Sequence, residues 1–335
     1  MKRSCISHPK NGKFNMPQVS HTIVVNLVSR FGIAFGFAIL CVFLAFASPY
    51  FATWDNIGNI LAQVSINGIM AVGLTFVILA AGIDLSVGSV LALAGIVAAS
   101  VVTNSGMDLG VTAAVIVGLA VGGLAGATNG AIISASSRIP PFIVTLGMLS
   151  AARGITQVYN HGSQISDLSD DFMLLGNGQI GGIQISVYLF ALVALIGYIA
   201  LKYTRFGRYV YAVGGNERGA RTAGVNVGLI KFSVYLISGI CAGLSGIIFT
   251  SRATSASLQA GLGYELDAIA AVVIGGTSLA GGRGGIGGTI LGALLIGVIN
   301  NGLDLLSVDS GNKQIIKGLV IVFAVFLDTV RARTR

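Results

Sequence analysis

The chain has 335 residues, of which 54% are hydrophobic and only 10% are charged, and its formal net charge at pH 7 is +8. A soluble domain carries about 25% charged residues, so this composition excludes an ordinary water-soluble globular protein. Apolar stretches long enough to cross the hydrocarbon core of a bilayer recur along the sequence. Because a backbone in lipid must satisfy its own hydrogen bonds, these stretches are predicted to be helices.

The fold class is therefore predicted to be all-α, a polytopic membrane protein with about ten transmembrane helices. A single transmembrane domain is expected at residues 31–330, after a basic tail at residues 1–30 and before a short tail at residues 331–335. The predicted spans lie at residues 32–48, 60–81, 88–103, 110–135, 142–160, 184–202, 231–251, 265–281, 286–303 and 315–330. Glycines within the apolar stretches are typical of closely packed membrane helices.

Lysine and arginine are distributed unevenly between the two predicted membrane sides. If the N-terminus is cytoplasmic, sixteen of the 20 basic residues fall in segments on the inside. The exceptions are Arg153, Arg252, Lys313 and Lys317. The positive-inside rule then places both termini in the cytoplasm. Because the positive charge follows the loops of one side, it does not indicate a nucleic-acid partner.

An acidic residue, Asp84, interrupts the apolar pattern between the second and third spans, within residues 82–89. A carboxylate near the membrane without a neighbouring cation is costly and marks a functional or structural polar site. Ser86 is predicted to cap the span that follows. Two interpretations of Asp84 stay open: it stabilises a helix N-terminus through the helix dipole, or it contacts a transported substrate.

The largest predicted outside segment, residues 160–183, contains three aspartates followed by four apolar residues. It is expected to form a short amphipathic helix on the periplasmic surface. Such a helix shields the spans beneath it or contacts a partner.

The most basic inside loop, residues 202–231, is predicted to contain a short helix. Asn216 suits its N-cap and Gly224 its end. Glu217 and Arg221 are four residues apart and can pair on one face. A capped helix that projects between two long spans is suited to dock into a groove of another protein. The alternative is an ordinary basic loop that only sets orientation.

A weak internal match relates two segments of the chain. A shift of 181 positions sets Gly82 on Gly263, Asp84 beside Glu265, Leu85 on Leu266, and Gly95 on Gly276. In the predicted topology the two segments lie on opposite sides of the membrane, so the match indicates an inverted repeat. Such repeats place a substrate path at their interface.

Polar side chains within the spans are scattered, which favours a weak, wet passage over a high-affinity pocket. The candidates for the translocation path are Asn67, Asp84, Ser86, Asn129, Thr145 and Asn300. No catalytic residue, metal site or cofactor is predicted, because the cysteines and histidines lack ligand spacing. The glycine-rich residues 281–289 lack the Lys-Ser/Thr pair of a phosphate loop.

Several motifs together resemble the permease subunits of ribose-type ABC sugar importers. They lie at residues 66–73, 81–89, 204–209, 214–217, 264–272 and 275–282, and the resemblance covers about residues 56–330. It implies the ABC importer permease fold, a homodimer, a separate cytoplasmic ATP-binding subunit and a periplasmic sugar-binding protein. The implied function is transport of a monosaccharide, ribose or a related sugar, by ATP-driven alternating access.

The resemblance also implies roles for polar and charged residues at the two membrane surfaces. Docking of the ATP-binding subunit is assigned to Asn216, Glu217, Arg218 and Arg221. Docking of the binding protein is assigned to Asp170, Arg252 and Lys313. The alternative function is an ion-gradient-driven secondary transporter, for which Asp84, Glu265 and Asp267 would carry protons. An intramembrane enzyme is a third class, for which the sequence offers no catalytic set.

Overall fold

The computed structural model describes residues 34–104, 108–136 and 139–333. The predicted basic tail at residues 1–30 and the first two residues of the first predicted span lie outside the described part of the chain. The last helix runs through Arg333, beyond the predicted end of the final span at residue 330. Residues 334 and 335 also lie outside the described part.

The described residues are mostly helical, with one small β-hairpin. The helices are α1 (Ala34–Ala47), α2 (Trp54–Leu79), α3 (Val87–Ser100), α4 (Gly110–Ala135), α5 (Pro141–Tyr159), α6 (Asp170–Asn177), α7 (Ile185–Tyr203), α8 (Arg205–Gly215), α9 (Glu217–Thr222), α10 (Val227–Ala253), α11 (Tyr264–Ile274), α12 (Ile286–Leu305) and α13 (Ser310–Arg333). Strands β1 (Gln179–Ile180) and β2 (Ile183–Gln184) pair antiparallel, with Gln179 opposite Gln184.

Five of the described helices are long and apolar enough to cross a membrane: α2, α4, α7, α10 and α12. Each coincides with a predicted span, and α4 has the predicted limits of residues 110–135. A backbone that forms such helices satisfies its own hydrogen bonds in lipid. The prediction of a mostly helical, polytopic membrane protein is therefore confirmed.

Two helices that coincide with predicted spans are too short to cross a bilayer. Helix α3 has 14 residues and α11 has 11. At a rise of 1.5 Å per residue they extend roughly 21 Å and 16 Å, which is half to two thirds of a hydrocarbon core of about 30 Å. The predicted span at residues 265–281 ends at Ile274 in the structure. Gly276, with φ +91°, then turns the chain into a loop that lasts until Gly285.

Helix α10 lies at the centre of the molecule, where it packs against α2, α3 and α4. Its contact with α4 brings two backbones together at glycines. A Cβ on Gly122 would lie 2.3 Å from the carbonyl oxygen of Gly239, and a Cβ on Gly239 would lie 2.2 Å from that of Gly122. Small residues permit this approach between membrane helices. The glycine pair therefore fixes the position of α10 against α4.

One end of the helical bundle carries α8, α9 and the loop between α11 and α12. The N–H of Gly282 donates to the carbonyl of Leu79 at 2.9 Å, and the Tyr211 hydroxyl donates to the carbonyl of Gly284 at 2.9 Å. These bonds join the loop to the end of α2 and to α8. We call this end of the bundle the α9 face.

The opposite end, the α6 face, carries α6 and the β-hairpin. Helix α6 confirms the amphipathic helix predicted within residues 160–183, because Phe172 is fully buried while Asp170 and Asp171 are exposed. The Ser251 hydroxyl at the end of α10 donates to the carbonyl of Phe172 at 2.6 Å. A bridge between Thr103 and Leu168 ties the segment before α6 to the end of α3.

The α4–α10 contact makes a direct prediction about stability. Gly122→Ala should destabilise the protein by about 1–3 kcal/mol, because its methyl group overlaps the Gly239 carbonyl and forces the helices apart. Gly123→Ala is the matched control, since its Cβ would lie 3.5 Å from the nearest atom, on Ile240. The measurement is unfolding of the purified protein in mixed micelles. Equal stability of the two variants would contradict the packing argument.

Candidate functional site

The chain breaks between α2 and α3, and Asp84 lies in this break. Residues 82–86 have no regular secondary structure, yet Asp84 is only 1% exposed. Ala81, with φ +59°, starts the break in a left-handed conformation. A Cβ on Gly82 would lie 2.5 Å from the hydroxyl of Tyr235, so the break fits closely against α10.

Hydrogen-bond donors surround the carboxylate of Asp84. Its Oδ1 accepts from the N–H of Ser86 at 2.9 Å and from the hydroxyl of Ser86 at 2.6 Å. Its Oδ2 accepts from the hydroxyl of Ser238 on α10 at 2.8 Å. In the part of the chain that the structure describes, no cation bonds to it. These three donors replace the water that a buried carboxylate loses.

The start of α3 differs from the prediction that the Ser86 side chain caps it. Ser86 occupies the N-cap position, but its side chain makes no capping hydrogen bond to the helix. Its hydroxyl bonds Asp84 instead, and Asp84 accepts from the backbone N–H of Ser86. The prediction that Ser86 caps α3 is therefore wrong. The interpretation that Asp84 stabilises the start of this helix agrees with the contact, because its carboxylate lies at the positive end of the helix dipole.

Two further helices, α4 and α5, and a second residue of α10 bond to the same break. The Asn129 amide on α4 donates to the hydroxyl of Ser86 at 3.0 Å. The hydroxyls of Thr145 on α5 and Tyr235 on α10 both donate to the carbonyl of Ile83 at 3.3 Å. The structure thus brings four of the predicted path residues into one network: Asp84, Ser86, Asn129 and Thr145. We call it the Asp84 cluster. Their role in a path stays a prediction.

A second buried polar cluster forms at α11 and contains the predicted path residue Asn300. Asp267, in the first turn of α11, is 2% exposed. Its Oδ2 accepts from the amide of Asn300 on α12 at 3.1 Å and from the ammonium of Lys317 on α13 at 2.8 Å. We call these three residues the Asp267 cluster. The ion pair was not predicted, although opposite charges inside two predicted spans are a signal for such a pair.

The sixth predicted path residue, Asn67 on α2, belongs to neither cluster. It is 3% exposed, and its Oδ1 has no hydrogen-bond partner among the described residues. The Oδ1 atoms of Asn129 and Asn300 are also buried without a partner there. All three amides thus have an acceptor oxygen free for a polar group that the clusters do not supply.

The two short helices meet at their N-terminal ends. A Cβ on Gly261 would lie 2.4 Å from the carbonyl oxygen of Gly88, and a Cβ on Gly88 would lie 2.1 Å from Oε2 of Glu265. Arg153 on α5 holds the segment that leads into α11, since its guanidinium donates to the carbonyls of Leu258 and Ala260 at 2.6 Å and 2.9 Å. Two interrupted segments therefore contact each other within the helical bundle.

The predicted docking helix is present as α9 on the α9 face. The side chain of Asn216 caps it by accepting from the N–H of Gly219 at 2.9 Å. Arg221 and Glu217 pair at 3.1 Å, as their spacing predicts. Glu217 also pairs with Lys231 of α10 at 2.8 Å, and this hydrogen bond lowers the pKa of the Glu217 carboxyl. Arg218 points outward and is exposed.

The residues of this chain that are predicted to dock the binding protein lie at the opposite end of the bundle, near the α6 face. Asp170 is exposed in the first turn of α6, and Arg252 is half-buried in the last turn of α10. Lys313 in α13 pairs with Asp304 at the end of α12. All three are therefore close to the α6 face, which agrees with the predicted sidedness. Their docking role stays a prediction.

Apolar helices that can cross a bilayer, together with two short helices whose N-terminal ends meet inside the bundle, are typical of polytopic membrane proteins of the transport class. The chain matches the family model described as branched-chain amino acid transport system, permease component, over residues 56–325. It therefore belongs to this permease family.

Curated relatives extend the match over almost the whole chain. It is 49% identical over 294 residues to the ribose import permease protein RbsC of Escherichia coli (strain K12), which covers 87% of this chain and 90% of the relative. It is 44% identical over 304 residues to RbsC of Bacillus subtilis (strain 168), covering 90% and 93%. It is 41% identical over 300 residues to the D-allose transport system permease protein AlsC of Escherichia coli (strain K12), covering 89% and 91%. The resemblance predicted from the motifs is thereby confirmed. No solved structure matches the chain.

The contact between α10 and Asp84 makes a second prediction. Ser238→Ala removes the donor to one carboxylate oxygen in a buried place, so the free energy of unfolding should fall by roughly 1.5–3 kcal/mol. Ser233→Ala is the matched control, because Ser233 is only partly buried on the same helix and its hydroxyl donates to the carbonyl of Leu229 within α10. Chemical unfolding in mixed micelles measures both. If Ser238→Ala is as stable as the control, the bond does not hold the break.

Proposed function

We propose that the chain is the membrane-spanning permease subunit of an ABC importer that moves ribose or a related monosaccharide across the inner membrane. The observation that carries the proposal is the identity of 41–49% with sugar permeases over nearly their full length. The family description names amino acids, whereas these relatives are named for sugars, so a sugar is the better-supported solute. The chain itself makes and breaks no covalent bond.

The proposed architecture is a single transmembrane domain at residues 31–330, with ten membrane-embedded helices and an inverted repeat. The order of a long, a short and a long helix occurs twice, as α2–α3–α4 and as α10–α11–α12. The contacts are exchanged between the two halves: α4 packs on α10 while α12 packs on α2, and α3 packs on α10 while α11 packs on α2. Repeats of this kind place the substrate path at their interface.

The two polar clusters also support the repeat. The 181-residue shift that relates the two segments places Ser86 on Asp267. Each of these residues accepts a hydrogen bond from an asparagine on the following long helix, Asn129 in the first half and Asn300 in the second. The same contact at the start of both short helices favours a common origin over coincidence.

In this proposal the α9 face and both termini are cytoplasmic. Among the described residues, the α9 face carries seven basic side chains: Lys202, Arg205, Arg208, Arg218, Arg221, Lys231 and Arg283. Cytoplasmic loops of bacterial membrane proteins are enriched in such residues. The α6 face would then meet a periplasmic sugar-binding protein through Asp170, Arg252 and Lys313, and two copies of the chain would form a homodimer.

The ATP-binding subunit is proposed to dock on α9, at Asn216, Glu217, Arg218 and Arg221. A displacement of α9 can reach the Asp84 cluster through α10 alone. Lys231 joins α9 to one end of α10, and Ser238, two turns further along, bonds Asp84. Hydrolysis of ATP in the partner would therefore reorient α10 and the break that it holds, which is alternating access.

Reconstitution tests the proposal. Proteoliposomes containing this chain, the proposed ATP-binding subunit and the proposed binding protein should accumulate ribose or a related sugar only when ATP is supplied. An ion-gradient-driven transporter would instead accumulate sugar without the ATPase. That result would overturn the proposal.

In the same assay, Arg218→Glu should abolish sugar uptake. In a pull-down of the purified chain, it should also abolish co-purification of the ATPase. Arg218 has no ion-pair partner among the described residues, so its reversal should leave folding intact. Arg205→Glu controls for charge, because Arg205 is an exposed arginine on the same face outside α9. Equal uptake by the Arg218 variant and the control would remove α9 as the docking element.

A further inference from the structure

A cleft of about 1000 Å³ opens on the α9 face, between α7, α8 and the start of α12. Its side-chain lining includes Tyr198 and Lys202 from α7, and Arg208 and Tyr211 from α8. Its floor is the backbone of residues 284–288. Neither the transport path nor the docking helix uses this cleft.

The cleft is positively charged. Lys202 and Arg208 are both exposed, and neither has an acidic partner in the described part of the chain. No Asp or Glu lines the cleft. The ammonium of Lys202 donates to the Tyr198 hydroxyl at 2.5 Å and lies 5.0 Å from the centre of that ring, which holds the cation at the rim. Two unpaired cations around one cavity favour an anionic occupant.

The backbone of the floor is compatible with such an occupant. A Cβ on Gly287 would meet nothing within 4 Å, so the backbone at this residue is open to a ligand. Helix α12 starts at Ile286, and the first N–H groups of a helix have no acceptor within it. They add donors to a site whose charge comes from Lys202 and Arg208.

The position of the cleft indicates the source of the anion. Tyr198 is one turn before Lys202 on α7, a helix long and apolar enough to cross a membrane. Leu195 and Ile199 beside it are 55% and 45% exposed, as expected of a lipid-facing surface. Helix α8 buries Val210 and exposes its arginines, as a helix lying in the interface does. The cleft therefore opens at the depth of lipid headgroups.

We propose that this cleft binds the phosphate of an anionic phospholipid headgroup, with Lys202 and Arg208 as its cationic ligands. Basic pockets between membrane helices are suited to such headgroups. A bound lipid would join α7, α8 and the start of α12 at the surface. The inference does not depend on which solute the chain transports.

The test is lipid binding to the purified full-length chain in mixed micelles, measured by native mass spectrometry with phosphatidylglycerol and phosphatidylcholine. Lys202→Gln combined with Arg208→Gln should weaken phosphatidylglycerol binding roughly 25-fold, since each basic residue near an anionic membrane surface contributes a factor of about five. The matched control is Arg205→Gln combined with Arg283→Gln, which removes two exposed charges of the same face that do not line the cleft. Binding to the control should equal binding to the wild type.

The other outcomes overturn the proposal. Equal weakening in the control would mean that overall charge, not the cleft, attracts the lipid. Saturation of the site by millimolar inorganic phosphate, with no preference for the lipid, would make it a water-facing phosphate site. If the cleft variant binds lipid as the wild type does but no longer co-purifies with the ATPase, the cleft is a protein-docking site. If the Lys202→Gln, Arg208→Gln variant misfolds, a second variant tests the proposal. Lys202→Arg combined with Arg208→Lys keeps both charges and must retain lipid binding.

Discussion

The carboxylate of Asp84, 1% exposed, accepts two hydrogen bonds from Ser86 and one from Ser238. No cation bonds to it among the described residues. A buried carboxylate is stable only while such donors replace water, so the break between α2 and α3 depends on where α10 places Ser238. In turn, α10 is held by the glycine contact between Gly122 and Gly239. The course of α3 and the arrangement of the neighbouring helices follow from these contacts.

The Asp267 cluster repeats the contact at the start of α11, with one physical difference. An ion pair with Lys317 fastens Asp267 to α13, whereas the Asp84 cluster contains hydrogen bonds to neutral groups alone. The Lys317 side chain is 32% exposed but the Asp267 side chain only 3%, and removing the cation from a buried carboxylate costs more than exchanging one neutral donor for another. The Asp84 half is therefore the easier half to rearrange, and α10, which also contacts α9, is the element placed to rearrange it.

The sequence was most informative where local signals decide the structure. The apolar stretch at residues 110–135 predicts α4, and the spacing from Asn216 to Arg221 predicts the capped helix α9. It was least informative where distant residues decide. Glycine and small residues made residues 275–281 look like a continuing span, although positive φ at Gly276 ends α11. Ser86 follows the cap pattern, but Asp84 competes for its hydroxyl. The partners Ser238 and Lys317 are brought in by tertiary packing that no local pattern records.

The central claim is that the Asp84 carboxylate couples movement of α10 to transport. Its most direct test is the number of sugar molecules taken up per ATP hydrolysed, in proteoliposomes that contain the ATPase and the binding protein. Asp84→Asn keeps the size of the side chain but replaces one acceptor oxygen with a donor. Our account predicts that ATP hydrolysis continues while uptake per ATP falls at least severalfold. An unchanged ratio would show that the carboxylate is a replaceable part of the fold.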